Sequence, residues 1–281
     1  MLKLIISKFD ALFNYTVDAD VLTLFRKLVS IFYFINLVAL FPSWNRFYGW
    51  NHVTLGASQP IIDLLSYFHF LPFEFFWVVG FFICVWHWVG NKPIYSSLAL
   101  FIFHSSLLVR NPFASNGEDL VLRMLFFYSC FFPWNGEGKF RGSWAVRLAQ
   151  LNFIGIYIFS YPKKLAADVA WFTGDFMYYV MVNPNWSRLT EPGLAAFPLV
   201  SPFLTYGALI FEGLIIFLIW PQKTRRLACF CIFFFHSMIA IMLNNVTFFS
   251  ISMILGSILF YKKEDLILLS QLFKRKKLST P

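Results

Sequence analysis

Charge is scarce in this 281-residue chain. Asp, Glu, Lys and Arg together make up 13% of it, about half the share of an ordinary soluble domain. That shortage excludes a domain solvated on all sides. The four cysteines, Cys84, Cys130, Cys229 and Cys231, all fall inside apolar runs with no CxxC among them. A disulfide framework and a dithiol relay are thereby disfavoured, and each thiol reads as a small buried hydrophobe. His87, His104 and His236 lie on three different apolar segments without paired spacing, so no metal centre is expected. Glycine-rich phosphate loops, a nucleophile elbow and nucleic-acid motifs are missing. The first 20 residues carry Asp10, Asp18 and Asp20 and no small-residue cleavage site, so a cleaved signal peptide is not expected.

What is abundant is apolar and aromatic: 59% of the residues are hydrophobic, with 38 Phe, 12 Tyr and 10 Trp. One aqueous core cannot hide that many rings, but lipid accepts them. The apolar runs are near-continuous and about 20 residues long, the length of a membrane-crossing helix rather than of an alternating barrel strand. The expected fold is all-α, a bundle of about eight transmembrane helices near 22–41, 71–89, 93–110, 119–134, 144–162, 199–220, 226–244 and 246–261. Leu2, Ile5, Ile6, Phe9, Leu12 and Phe13 recur at helical spacing, which predicts an amphipathic helix on the membrane surface within residues 1–20. Residues 21–262 then form the transmembrane domain and 263–281 a basic tail. Two long connections are expected, 42–70 with a short helix near 60–69, and 163–198. The latter contains "WFTGDFMYYVMV", apolar but too short to span, hence re-entrant or interfacial. No internal repeat or linker is evident, and no inverted repeat or Gly-broken pair of spans points to a transporter.

The net charge of +9 fits the positive-inside bias of a membrane protein better than nucleic-acid binding. With both termini cytoplasmic and eight spans, most of the 23 Lys and Arg fall on the inner side, and "KRKK" (274–277) faces anionic lipid. The outer half keeps Arg46, Arg110, Arg123, Lys163, Lys164 and Arg188. The adjacent pair Lys163–Lys164 therefore stands where the topology rule gives no reason for it. It serves either as snorkelling anchors at a helix end or as part of a site.

Ionisable groups inside spans are costly and usually face the bundle interior. Glu212 in "ALIFEGLIIF", Arg123 in "GEDLVLRMLFF", His104 in "LFIFHSSLL" and His236 in "IFFFHSMIA" are of this kind. Each also has a plain reading. Lone His residues hydrogen-bond between helices. Arg123 pairs with Asp119 one turn earlier, or with Glu118. A buried Glu can be protonated. Taken together, an outward-opening polar funnel is the simplest way to satisfy them.

Several stretches resemble the HTTM proteins, the family built on the membrane domain of vitamin K-dependent γ-carboxylase. "RNPFASNGEDLVLRMLFFYSCFFPW" (110–134) is similar to that family's Arg-Asn-Pro, Asn-Gly-x-Asp, Leu-x-Arg block. "QLNFIGIYIFSYPKKLAADVAWFTGDFMYYVM" (150–181) resembles its Gln, Tyr, Lys-Lys, Trp-x-x-Gly block, and "FHSMIAIMLNNVTFFSISMILGSILF" (235–260) its His-containing later spans. "FYGW" (47–50) fits the end of the first loop. The resemblance runs from about residue 20 to 262 and extends to the sporulation-delaying protein B group. It implies an inner-membrane protein of bacterial type with an outward-facing pocket for a reduced quinone, supporting redox-linked modification of a peptide or exported protein. In the carboxylases a lysine of the Lys-Lys pair is the base that starts oxidation of reduced vitamin K. By position that is Lys164, with Lys163 as electrostatic support and His104 and His236 as polarising donors. Arg110, Asn111, Asn116, Asp119, Arg123, Trp171 and Glu212 would shape the binding site. The resemblance does not include the large lumenal portion with which carboxylases hold a protein substrate, so carboxylation of a protein is not implied. The competing expectation is a non-enzymatic scaffold, a maturation or export partner of a secreted peptide or periplasmic protein, in which the polar groups only hold helices together.

Overall fold

The computed structural model describes residues 17–49, 72, 74–134, 143–189 and 197–267. The expected surface helix at 2–14, the short helix near 60–69 and the KRKK tail lie outside the described residues. Those that are described are all-helical, and one isolated antiparallel bridge, Ser187 to Leu243, is the only extended pairing among them.

The principal helices are α1 (Ala19–Leu40), α2 (Trp44–Tyr48), α3 (Glu74–Val89), α4 (Pro93–Arg110), α5 (Gly117–Ser129), α6 (Ser143–Ala167), α7 (Ala170–Thr173), α8 (Phe176–Val182), α9 (Val200–Leu218), α10 (Gln222–Met242) and α11 (Thr247–Ser257). A helix stands at each of the eight expected positions. Four stretches are long and apolar enough to cross a membrane: α1 continued through α2, α4, α9 and α10. They mark a membrane protein. The 16 residues of α3 and the 13 of α5 rise only about 24 and 20 Å, short of a hydrocarbon core of about 30 Å. At 25 residues α6 is long enough, but it carries Arg147, Lys163 and Lys164 besides Gln150 and Asn152. It runs one turn beyond the expected end, with Pro162 inside it. Proline lacks an N–H, so the rung to the Ile158 carbonyl cannot form.

The chain divides into two compact units at Ala149/Gln150. In the first, α1 packs on α3, α3 on α4 and α4 on α5. Leu22, Phe25, Leu37, Leu100, Leu122 and Leu125 are fully buried between them. Gly80 allows close packing here: a Cβ would lie 2.4 Å from the far edge of the Phe103 ring, which would have to shift. Arg26 reaches across to the free carbonyls ending α3, donating to His87 and Trp88, which supplies the cap the helix end needs. In the second unit α9 packs on α10 and α10 on α11. Ser201 and Thr205 of α9 hold the broken pair α7–α8. Both donate to the Gly174 carbonyl, at 2.8 and 3.0 Å. They also accept from the Tyr178 and Met177 amides, at 2.8 and 3.1 Å. Two hydroxyls from a neighbouring helix thus satisfy the start of α8, where no side chain of its own does so. Gly174 has φ +86 between the two pieces, a left-handed turn that breaks the segment where the sequence is too short to span. Phe203, Phe217, Phe230 and Phe234 project outward, as helices facing lipid do.

Candidate functional site

The expected site residues fall into two sets, one in each unit. His104, Arg110, Asn111, Asn116, Asp119 and Arg123 belong to the first; Lys163, Lys164, Trp171, Glu212 and His236 belong to the second.

In the first unit the expected site residues, Arg123 apart, are engaged by the fold itself. His104 is buried with both ring nitrogens engaged: Nδ1 lies 3.0 Å from the Tyr33 hydroxyl and Nε2 lies 2.9 Å from the Asp119 carbonyl. A carbonyl only accepts, so Nε2 carries the proton and Nδ1 accepts from Tyr33. Arg110 donates through Nε to the Tyr48 carbonyl at 3.1 Å and through Nη2 to the Gly49 carbonyl at 2.8 Å. Asn111 donates to the Phe47 carbonyl at 2.7 Å, and its Oδ1 accepts from the Phe113 and Ala114 amides. Both side chains thus tie the end of α4 to the end of α2. Asp119 accepts from the Asn116 amide at 2.9 Å, one half of a capping box at the start of α5. The expected Arg123–Asp119 or Arg123–Glu118 pair does not form among the described residues: Arg123 is exposed, Asp119 is committed to the cap and to His104, and Glu118 accepts from the Asn116 amide group.

The second unit holds a different arrangement. Lys164, in the last turn of α6, forms an ion pair with Glu212 in the middle of α9. The Glu212 side chain is 8% exposed and that of Lys164 26%. The other carboxylate oxygen accepts from Ser160 Oγ at 3.2 Å. The Lys164 ammonium also sits 5.1 Å from the centre of the Trp171 ring, within reach of the ring's negative face. Trp171 in turn stacks on Phe176 at 3.9 Å. Lys163 is exposed, because adjacent residues point about 100° apart on a helix. The helix itself therefore distinguishes the two lysines that the sequence presents as a doublet.

Lys164, Glu212, Trp171 and Phe176 line a cavity of about 740 Å³ between α8, α9 and α10. Its remaining wall is almost wholly apolar, with Phe203, Phe211, Phe230, Phe234, Phe235 and Met238 prominent. Phe211 and Phe235 stack at 4.2 Å, and Phe235 meets the His236 ring edge-on. His236 is therefore set behind the ring wall and is not a lining residue. Its Nε2 lies 2.9 Å from the Tyr157 hydroxyl, while Nδ1 is buried with no hydrogen-bond partner among the described residues.

Sequence reasoning missed Tyr33, Tyr157 and Ser160. A signal for the tyrosines existed: a hydroxyl inside an apolar span must find a partner there, and the two intramembrane histidines are the partners. Among the described residues no group of His, Cys, Asp or Glu could hold a metal ion. No protein-family model, no curated protein and no solved structure matches the chain.

Proposed function

We propose that this is a multi-pass protein of the bacterial inner membrane, an HTTM-like bundle with both termini cytoplasmic, in which flanking residues and local thinning of the bilayer let the shorter α3, α5 and α11 complete eight spans. In this reading its second unit holds a reduced quinone, or a close relative, and supports redox-linked maturation of a secreted peptide or an exported partner protein. The observation that carries the reading is the Lys164–Glu212 ion pair under Trp171, at the wall of an otherwise apolar cavity. Intramembrane ion pairs are expensive to build and are usually kept for function.

The residues present fit such a ligand. A volume of about 740 Å³ is within the range of small-molecule sites, about 300–1,000 Å³. Stacked aromatic walls suit a flat ring, and the exposed rings of Phe203, Phe230 and Phe234 leave room for a tail to run into lipid. A bound hydroquinone would supply two ionisable hydroxyls and two electrons. Held as an ammonium in the ion pair, Lys164 has no lone pair with which to act as the base the resemblance implies; in this reading a Glu212 carboxylate oxygen would take up a hydroxyl proton, and the Lys164 ammonium would hold the ligand's head by a charge-assisted hydrogen bond. Tyr157 and His236 brace the wall from behind. Lys163 takes the role of an anchor in the headgroup layer.

The first unit favours the scaffold reading for its own part of the chain, since His104, Arg110, Asn111 and Asp119 are spent on helix–helix and helix–loop bonds. The experiment is extraction in mild detergent followed by mass spectrometry of bound lipids, for the parent chain and for Lys164→Ala. Quinone carried by the parent and lost from Lys164→Ala is the expected result. Its absence from both sinks the quinone reading and leaves the scaffold.

A further inference from the structure

Taken helix by helix, the two units have the same plan. The first unit begins with the long helix α1 and the second within the long helix α6, from Gln150 onward; each continues through a connection containing short helices to three helices in succession, α3, α4, α5 or α9, α10, α11. The correspondence reaches single side chains. In each, a tyrosine of the first helix bonds a buried histidine of the third: Tyr33 with His104, Tyr157 with His236. One turn after the tyrosine, the first helix packs a side chain on a glycine of the second: Leu37 on Gly80, Tyr161 on Gly213. A phenylalanine precedes the histidine in both, Phe103 and Phe235. Polar residues that close the third helix donate to carbonyls of the connection. Arg110 and Asn111 do so in one unit, Asn244 and Asn245 in the other.

The cavities correspond as well. The first unit has a smaller groove of about 320 Å³ between α3 and α4. From α4 it is lined by Ala99, Ile102, Phe103, Ser106, Leu107 and Arg110. The second cavity is lined by Cys231, Phe234, Phe235, Met238, Ile239 and Met242, each as far along the chain from its counterpart as His236 is from His104. The residue before the glycine lines both: Val79 in one, Glu212 in the other. Two turns beyond the tyrosine stands Leu40 in the first unit and Lys164 in the second. The tyrosine–histidine bond is thus common framework, and the ion pair belongs to the second groove alone.

We infer that the chain is two copies of one four-helix module, and that the Lys164–Glu212 pair, present only in the second copy, makes its groove select amphiphiles with an uncharged polar head. The ligand part of this inference rests on the reading of the cavity given above. The pair is neutral as a whole. An anionic head drawn to Lys164 meets the Glu212 carboxylate at once, and a cationic head meets the ammonium; like charges in a site of low dielectric repel strongly. An uncharged hydroxyl both accepts from Lys164 and donates to Glu212, leaving neither charge unpaired.

Two measurements on the full-length chain test the two halves. For the duplication, Leu40→Lys, Val79→Glu and the double variant are compared by thermal unfolding in detergent. The expected result is that each single change lowers the midpoint and that the double recovers at least half of the summed loss, because in a duplicated module Leu40 and Val79 would face each other as Lys164 and Glu212 do. Losses that simply add overturn it. If the double variant does not fold, oxidative cross-linking decides, with the four native cysteines replaced by alanine. Leu40→Cys/Val79→Cys is expected to couple as readily as Lys164→Cys/Glu212→Cys, and coupling of the second pair alone overturns the duplication. For the head, hexadecanol and palmitate compete for the parent chain and for Lys164→Met/Glu212→Leu. The parent is expected to favour the alcohol by about tenfold or more, the worth of one hydrogen bond to a charged group, and the double variant to lose that preference. Tighter palmitate binding by the parent, an unchanged preference in the variant, or no binding of either probe overturns the selectivity. A parent chain that carries no quinone yet prefers the alcohol refutes the quinone reading and leaves this one standing.

Discussion

Removing one member of the Lys164–Glu212 pair should cost far more than removing both. In Glu212→Leu the ammonium stays three-quarters covered, its side chain 26% exposed, with no carboxylate beside it. Breaking a buried pair in this way costs about 3–5 kcal/mol. The partial exposure of Lys164 and its retained contact with the Trp171 ring, worth about 0.5–2 kcal/mol, place the loss nearer about 2–3 kcal/mol. In Lys164→Met the carboxylate, 8% exposed, is stranded instead, keeping only its bond from Ser160. The double variant Lys164→Met/Glu212→Leu removes both charges and fills the gap with apolar atoms. Such replacements are close to neutral or stabilising. Thermal unfolding in detergent of the parent, the two single variants and the double gives the cycle. Each single change should lower the midpoint by about 3–8 °C for a chain of this size, and the double by much less. The coupling should then be at least about 2 kcal/mol. Single losses that sum to the double would mean that the two charges do not meet, and the proton chemistry proposed for the cavity would lose its basis.

Five further changes probe the frame around it. Tyr33→Phe strips the donor from His104 Nδ1 in a fully buried site; thermal unfolding should show a loss of about 1–3 kcal/mol, whereas Lys163→Ala, at an exposed position, should stay within about 0.5 kcal/mol of the parent. Gly174→Ala forces a side chain into a left-handed turn at φ +86 and to 3.1 Å from Pro202, so a cost of about 1–3 kcal/mol and faster limited proteolysis of the α7–α8 segment are expected. Ser201→Ala and Thr205→Val each remove an acceptor at the start of α8, at about 1 kcal/mol apiece. Hydrogen exchange should quicken at the Tyr178 amide in the first and at the Met177 amide in the second.

The helices were legible because continuous apolar runs announce them, and their ends mostly fall within a few residues of the expected limits. The end of α6 was not, since Pro162 and two lysines read as a stop signal, yet a helix tolerates one lost rung when neighbouring elements hold it. The break of "WFTGDFMYYVMV" into two short helices agrees with a stretch too short for one span, which length alone made legible. The pairing of Lys164 with Glu212 was not, because no local rule connects residues so distant in sequence. Arg123 illustrates the opposite error. Spacing on one helix face predicted a partner in Asp119, but the helix start needed that carboxylate first. The similarity of the two units escaped the sequence because few identical residues carry it, a tyrosine, a glycine and a Phe-His step. The rest of each interface asks only for apolar volume, which many residue types provide.

One helix carries both ends of the candidate site. Ser201 and Thr205 grip the segment that presents Trp171, and Glu212, about three turns further along α9, grips the amine beneath that ring. A single rigid rod therefore sets the vertical spacing between the aromatic roof and its counter-charge. Any sliding of α9 along its own axis would carry roof and counter-charge together and shift both against Lys164, which stands on α6.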